Sequence, residues 1–190
     1  MLAAFSTLPK VAAILFLSRL LLPPQPGITG WWPVAAMLAC ATLVAGNFPV
    51  LVQSNIRRIM AYSSIAQGGF LLLALPGSQP VPLILFYSLA LVLANLLVFT
   101  CLDRMEHNIN NNIKEVGDLD GFAICDPLAA AGMTIGLVSL TGLPPFAGFT
   151  TKLKLFTHFW QAAQQTGDAL MIGAFVFGLI NTVIALYYYM

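Results

Sequence analysis

The chain has 190 residues, of which 59% are hydrophobic and only 8% are charged, with a mean hydropathy of +0.87. Soluble domains carry about 25% charged residues, so most of this chain's surface does not face water. The net charge of +1 indicates no nucleic-acid partner, and the three cysteines (Cys40, Cys101 and Cys125) lack the spacing of a disulfide framework or a metal site.

Six segments are long and apolar enough to span a membrane, which takes about 20 mostly apolar residues. In chain order they are residues 3–22, 33–53, 58–76, 80–102, 127–157 and 169–190. Proline- and glycine-rich turns connect the first span to the second at 23–27 and the third span to the fourth at 76–80. Residues 103–126 form a hydrophilic connection between the fourth and fifth spans. The pattern predicts an all-α, polytopic transmembrane helix bundle of about six spans in a single domain, 1–190.

The fifth segment is too long for one straight helix, and the sequence GLPPFAGF interrupts it at 142–149. Gly142, Pro144, Pro145 and Gly148 predict a broken helix, because proline removes a backbone donor and clashes with the preceding turn. At membrane depth such a break is tolerated where the freed backbone is buried in protein or lines a wet cavity. A loop or kink with only a packing role is the alternative interpretation.

The candidate intramembrane charges are all basic: Lys10, Arg19, Lys152 and Lys154. A charge at mid-membrane costs about 2.5–3.5 kcal/mol on insertion scales, so each is a candidate functional residue. Arg19 lies near a span end and is interpreted as an interfacial anchor, whereas for Lys10 anchoring and function both stay open. Lys152 and Lys154 lie roughly 200° apart and cannot share a helix face. Lys152 follows the break most closely, where loss of solvation lets a lysine take up and release protons.

Further polar residues open the third span and form a possible supporting path, although most such residues only bond neighbouring helices. They are Tyr62, Ser63, Ser64 and Gln67, and Lys154 of the fifth segment is a further candidate member of this path. His107 and His158 fall in predicted connections and are interpreted as solvated. The sequence has no haem-attachment motif, cluster-binding cysteine set or glycine-rich dinucleotide turn, so it predicts no metal and no cofactor bound by this chain.

Basic residues of short connections predict the orientation. Arg57, Arg58, Arg104 and Lys114 fall on one face of a six-span bundle, together with both chain ends, whereas connections 23–32, 77–79 and 158–168 contain no lysine or arginine. Both termini are therefore predicted on the cytoplasmic or matrix side.

Two stretches resemble NADH dehydrogenase subunit 2, called NuoN in bacteria. NIRRIMAYSSIAQGGF at 55–70 is similar to that family's basic-AYSSIAH signature, and SLTGLPPFAGFTTKLKLF at 139–156 is similar to its GxPPxxGFxxK segment. The opening TLPKVAAILFLSRLLL and the close NTVIALYYYM also fit, so the resemblance covers nearly the whole chain.

The resemblance implies a membrane-arm subunit of respiratory complex I, the proton-translocating NADH:ubiquinone oxidoreductase. This family has antiporter-like modules of two inverted repeats, each with a broken helix and a central lysine, and the chain resembles the second half of one. Lys152 then corresponds to the charged residue beside the broken helix, and Lys10 to a lysine connecting the halves. NADH, FMN, iron–sulfur clusters and ubiquinone are expected in other subunits.

The chain departs from the family in lacking the first half, with its glutamate and lysine pair, and the last helix, and in having Gln67 where histidine is frequent. We expect a split subunit whose first half is a separate chain, with subunits 4L and 4 as further partners. The expected location is the mitochondrial inner membrane or, alternatively, a bacterial plasma membrane. Two other functions stay open. One is a stand-alone cation/proton antiporter or channel, although its coupling site would normally need an intramembrane carboxylate and no predicted span contains one. The other is a structural subunit that moves no ions.

Overall fold

A computed structural model describes residues 9, 12–17, 32–76, 80–109 and 113–189. Residues 12–17 are helical, and the remainder of the predicted first span, including Lys10 and Arg19, lies outside the described residues. The described part is all-α apart from one isolated bridge between Asn55 and Glu115. Its helices are α1 (Trp32–Val50), α2 (Ile56–Leu73), α3 (Pro80–Ile109), a 3-10 turn (Val116–Leu119), α4 (Phe122–Cys125), α5 (Pro127–Thr141), α6 (Ala147–Thr166) and α7 (Ala169–Tyr189).

Three of the described helices are long and apolar enough to cross a membrane, namely α1, α3 and α7. Helix α5 is equally apolar but shorter, with 15 residues. Helices α2 and α6 contain the polar residues of the two signature stretches, and their polar side chains Ser63, Gln67 and Lys152 are buried inside the bundle. The bundle therefore buries its polar groups in the protein interior, as a low-dielectric surrounding requires.

Helix α1 packs against α2 and α7, and the long helix α3 packs against α5 and α6. Helices α1 and α2 form a closely packed hairpin, and α7 lies against α1. The 30-residue helix α3 contacts α5 along its second half, where Val98 and Cys101 meet Gly136 and Gly132, and α6 along its first half. Helices α5 and α6 thus follow one another along α3, which is the arrangement of a single span interrupted in its middle.

The hydrophilic connection is folded onto the end of the bundle. The amide of Ile56 donates to Lys114, and that of Val116 donates to Ser54, so this segment pairs with the start of α2. Arg57 reaches both carboxylate oxygens of Glu106 at 2.6 and 2.8 Å. The connection therefore ties α2 to the end of α3.

A second ion pair joins the end of α3 to the broken segment. Arg104 contacts the buried carboxylate of Asp126 at 2.7 Å. Asp126 also caps α5, because its side chain accepts from the amide of Ala129, and Pro127 opens the helix at a position where no amide donor is needed. The first half of the broken segment thus begins at a fixed point.

Several predicted boundaries are corrected by this arrangement. Helix α3 continues to Ile109 instead of ending at 102, because Arg104 and Glu106 are held in ion pairs with other elements. Helix α6 continues to Thr166, so the predicted connection 158–168 shrinks to 167–168. His158 consequently lies inside a helix and is half-buried, and its interpretation as a solvated connection residue is wrong. His107 lies in the last turn of α3 and is exposed.

Candidate functional site: a buried lysine at the broken helix

The helix is interrupted at 142–146, where the sequence predicts the break. Gly142 ends α5 with a φ of 84°, a left-handed conformation that glycine adopts without steric cost, and its amide donates to Ser139 and Val138. Pro144 and Pro145 lie exposed between the two helices, and α6 begins after Phe146 without a side-chain cap. The last two carbonyls of α5, those of Leu140 and Thr141, instead accept from side chains of other helices.

Gly148 lets the first turn of α6 approach the last turn of α5. A Cβ at this position would lie 1.7 Å from the carbonyl oxygen of Ser139, which is far inside van der Waals contact. Only a residue without a side chain allows this crossing. Gly148 therefore sets the distance between the two half-helices.

The side chain of Lys152 contacts the backbone that the break leaves free. Lys152 is 4% exposed, and its Nζ donates to the carbonyl oxygen of Thr141 at 2.7 Å. The same amine lies 4.9 Å from the centre of the Phe70 ring. Neither of the two ion pairs among the described residues includes Lys152. Its partners are thus a helix-terminal carbonyl, where the helix dipole is negative, and an aromatic face.

Lys154 points away from this interior. It is exposed on the outer side of α6, and its amine lies 4.7 Å from the centre of the Phe86 ring on α3. The two lysines occupy different faces, as their spacing predicts. Lys152 alone of the two contacts the break.

Gln67 extends the polar site from the break towards α2 and α3. Its amide nitrogen donates to the carbonyl of Leu140 at 3.2 Å, and its amide oxygen accepts from the Tyr87 hydroxyl at 2.5 Å. A cavity of ≈ 10 Å³ lies between these groups and Lys152, with Thr151 also in its wall. That volume is close to the minimum for one water molecule.

Beyond Gln67 the hydrogen bonds continue through α7. The Tyr189 hydroxyl bonds to Ser63, one turn before Gln67 on α2, and the rings of Tyr188 and Tyr189 have their centres 4.6 Å apart. The Tyr188 hydroxyl donates to Asn47 at 3.0 Å. Hydrogen-bonded polar groups therefore lie in the interior from the break, past Ser63 and Tyr189, to Asn47 on α1.

Asn47 and Asn181 close this network between α1 and α7. The Asn47 amide donates to the Asn181 side-chain oxygen at 3.0 Å, and both residues are fully buried. A buried amide pair is stable at this depth because each polar group finds a partner. The interior route thus ends in a satisfied hydrogen-bonded pair.

The structure brings together some of the residues that the sequence singled out. Lys152, Ser63 and Gln67 belong to the network, Ser64 is buried on the same helix, and Tyr62 is half-buried with no described hydrogen bond to the network. Lys10 lies outside the described residues. The sequence reasoning missed further members, for which a polar residue inside an apolar run was the available signal. They are Asn47, Tyr87, Asn181, Tyr188 and Tyr189.

Comparison with known proteins identifies the family. A family model described as NADH:quinone oxidoreductase/Mrp antiporter, TM, matches residues 1–179. NADH-quinone oxidoreductase subunit N of Heliobacterium modesticaldum is 38% identical over 95% of this chain and 37% of its own length. Subunit N of Granulibacter bethesdensis is 36% identical over 99% of this chain and 39% of its own length. The chain thus spans less than two fifths of the length of these relatives.

A plastid relative and a solved structure agree with this assignment. NAD(P)H-quinone oxidoreductase subunit 2 from the chloroplast of Chaetosphaeridium globosum is 34% identical over 99% of this chain and 36% of its own length. A chain in the structure of respiratory complex I from Thermus thermophilus with bound aureothin matches 82% of this chain and 34% of its own length, with 32% identity and a TM-score of 0.68. The chain is therefore a bundle of membrane helices that belongs to the NADH:quinone oxidoreductase/Mrp antiporter family.

Proposed function

We propose that this chain forms part of a proton-translocating, antiporter-like module in the membrane arm of a respiratory NADH:quinone oxidoreductase. The observation that supports the proposal is the buried Lys152, which lies at a broken helix and donates to a backbone carbonyl released by that break. A buried amine without a carboxylate partner has a neutral form close in free energy to its charged form. Lys152 is therefore suited to hold a proton and pass it on.

The proton moves within the module by rearrangement of hydrogen bonds that already exist. When Lys152 is protonated, Thr141 accepts from it, and the small cavity places Gln67 and Tyr87 nearby. An electrostatic change elsewhere in the complex favours or disfavours the charged amine, and the reciprocal coupling between two such sites drives the transfer. Lys10 is the proposed second proton-carrying lysine, and Lys154 is not part of the path.

Replacing Lys152 with Met tests the proposal. Methionine has a similar length and no charge, so the bundle can assemble without a titratable group at the break. In vesicles containing the assembled complex, we expect fewer protons translocated per NADH oxidised. The matched control is Lys154→Met, two residues away on the outer face, which should leave this ratio unchanged. An unchanged ratio in assembled Lys152→Met complex would remove Lys152 from the mechanism.

The partners that we propose are the remaining part of the module and the neighbouring membrane-arm subunits, including subunits 4L and 4. The redox cofactors NADH, FMN, iron–sulfur clusters and ubiquinone then belong to other subunits. We expect the first half of the module on a separate chain, which mass spectrometry of the native complex would identify. A longer single polypeptide would contradict the split arrangement and leave the proposed activity intact.

For the location we propose an energy-coupling membrane, with both termini on the matrix or cytoplasmic side. The relatives described above are bacterial and plastid proteins, which supports a bacterial plasma membrane beside the expected mitochondrial inner membrane. Accessibility of a cysteine introduced at Lys114, in right-side-out and inverted vesicles, tests the orientation of the hydrophilic connection. Labelling from the opposite side would reverse the topology.

A second candidate function is cation/proton antiport by this chain and its immediate partners, because the matching family model also covers Mrp antiporters. Sodium-dependent proton movement in vesicles that hold the purified chain, without NADH oxidation, would favour this function. Migration of the chain with NADH dehydrogenase activity in native gels would favour the complex I subunit.

A further inference from the structure

A groove on the outer side of the bundle lies between the start of α3 and the middle of α6, separate from the buried network. Its volume is ≈ 370 Å³, within the range of about 300–1,000 Å³ that small-ligand sites occupy. One wall is apolar and comes from α3, and the other is polar and comes from α6. The lining residues are Pro82, Leu83, Phe86, Lys154, Thr157, His158 and Gln161.

The position of the groove along α3 places it near one membrane surface. Residues 80–102 contain no charged side chain, and at about 1.5 Å per residue they cover about 33 Å, close to the thickness of the hydrocarbon core. Pro82 and Phe86 lie within about 9 Å of the first residue of this stretch. Charged residues begin only at the opposite end, with Asp103. The groove thus lies near the membrane surface that is away from the hydrophilic connection, with its α3 wall up to about 9 Å inside the apolar stretch.

The polar wall offers donors that lack acceptors. Lys154 is exposed and is absent from both ion pairs among the described residues. Both ring nitrogens of His158 are enclosed and have no hydrogen-bond partner in the described part of the chain. Enclosed polar groups in native proteins are nearly always paired, so a partner beyond the described residues is expected beside them.

The charge of that acceptor follows from the groups around it. No acidic residue lines the groove, and the α3 wall is entirely apolar. The nearest carboxylate along the sequence, Asp168, is used at the start of α7, where it accepts from the amide of Leu170 at 3.0 Å. A lysine at a membrane surface with no carboxylate neighbour attracts an anion, and an oxyanion with several lone pairs would also accept from Gln161 and His158.

We propose that this groove binds the phosphate of an anionic phospholipid. Lys154 and Gln161 donate to the phosphate oxygens, and a rotation of the His158 ring brings one of its nitrogens to the same group. The apolar wall at Pro82, Leu83 and Phe86 contacts the glycerol and the first acyl carbons. The site acts as a lipid clamp on α6, beyond the break, and does not depend on proton transport by Lys152.

Lipid retention tests this proposal directly. The double variant Lys154→Gln, Gln161→Leu removes the charge and one amide donor, and Lys114→Gln removes a lysine from the exposed connection as a matched control. By native mass spectrometry of the solubilised complex, we expect retained anionic phospholipid to fall about tenfold in the double variant, as loss of a charge-assisted hydrogen bond implies. The control should retain lipid as the unaltered complex does. Equal retention in the double variant would overturn the proposal.

Two further measurements distinguish the possible occupants without weakening the groove. A photo-cross-linking residue at Thr157 should yield a phospholipid adduct, whereas an adduct with another polypeptide would show that a protein helix fills the groove instead. After delipidation, phosphatidylglycerol should raise the melting temperature of the complex, and phosphatidylcholine and inorganic phosphate should not. Equal stabilisation by inorganic phosphate would assign the site to a free anion and refute the lipid.

Discussion

Gly148→Ala is expected to disconnect Lys152 from the break. The added Cβ would lie 1.7 Å from the Ser139 carbonyl oxygen, whereas ordinary contact begins at 3.4 Å, so the two half-helices must separate by about 1.7 Å. The same separation stretches the 2.7 Å bond between Lys152 and Thr141 beyond hydrogen-bond distance. Overpacking costs about 1–3 kcal/mol, and a lost charge-assisted bond about 1.5–3 kcal/mol, so the total is about 2.5–6 kcal/mol.

The assay measures the amount of chain in the membrane, the melting temperature of the solubilised complex and proton translocation per NADH. Gly173→Ala is the matched control, because a Cβ at Gly173, in the second turn of α7, meets nothing within 4 Å. We expect Gly148→Ala to lower all three quantities and Gly173→Ala to change none of them. Equal behaviour of the two variants would show that the close crossing of α5 and α6 does not position the lysine.

Three further perturbations test other parts of the structure. Tyr87→Phe leaves the buried amide oxygen of Gln67 without its donor, which costs about 1–3 kcal/mol, and we expect a lower melting temperature and slower proton translocation. Asp126→Ala removes both the ion pair with Arg104 and the α5 cap, so it should destabilise the complex about 1 kcal/mol more than Asp126→Asn, which keeps a capping side chain. Backbone donors hold the pKa of Asp118 below its ordinary 3.8, so the turn that it stabilises is intact above pH 3.8 and opens as the pH falls through the lower folded pKa.

Each of these expectations has its own control. Tyr187→Phe alters an exposed tyrosine and should leave melting and transport unchanged, so a similar loss there would mean that Tyr87 acts only through general packing. Equal melting temperatures for the alanine and asparagine variants at 126 would show that the side-chain cap at this position does not stabilise α5. The turn is monitored by hydrogen exchange at the amides of Lys114 and Glu115, which donate to Asp118. Exchange in an Asp118→Asn variant should show no additional change at acidic pH.

The lengths of the apolar runs predicted most of the helices because the hydrocarbon core imposes a minimum span. The ends of the helices were predicted less well. Helix α3 runs through Arg104 and Glu106 because residues distant in sequence neutralise them, and such pairs are invisible in a hydropathy pattern. Helix α6 runs past 157 because its later residues include alanine and glutamine, which favour helix although they are less apolar.

The candidate site was only partly predictable for a related reason. Helical spacing established that Lys152 and Lys154 occupy different faces, but the packing of α6 decides which of them is buried. The hydrogen bonds from Ser63 to Tyr189 and from Tyr188 to Asn47 join helices that are far apart in sequence. Local sequence patterns contain no information on such contacts. Tyrosines within an apolar run are therefore not distinguished from other residues of a membrane span.

The acceptor that holds Lys152 belongs to the main chain, and this has a consequence for genetics. Thr141 contributes its carbonyl oxygen, while its own hydroxyl bonds back to Val138 within α5. Every amino acid supplies the same carbonyl, so a scan of side-chain replacements along α5 leaves the partner of the lysine in place. Side-chain replacements along α5 will therefore not reveal this partner of the lysine.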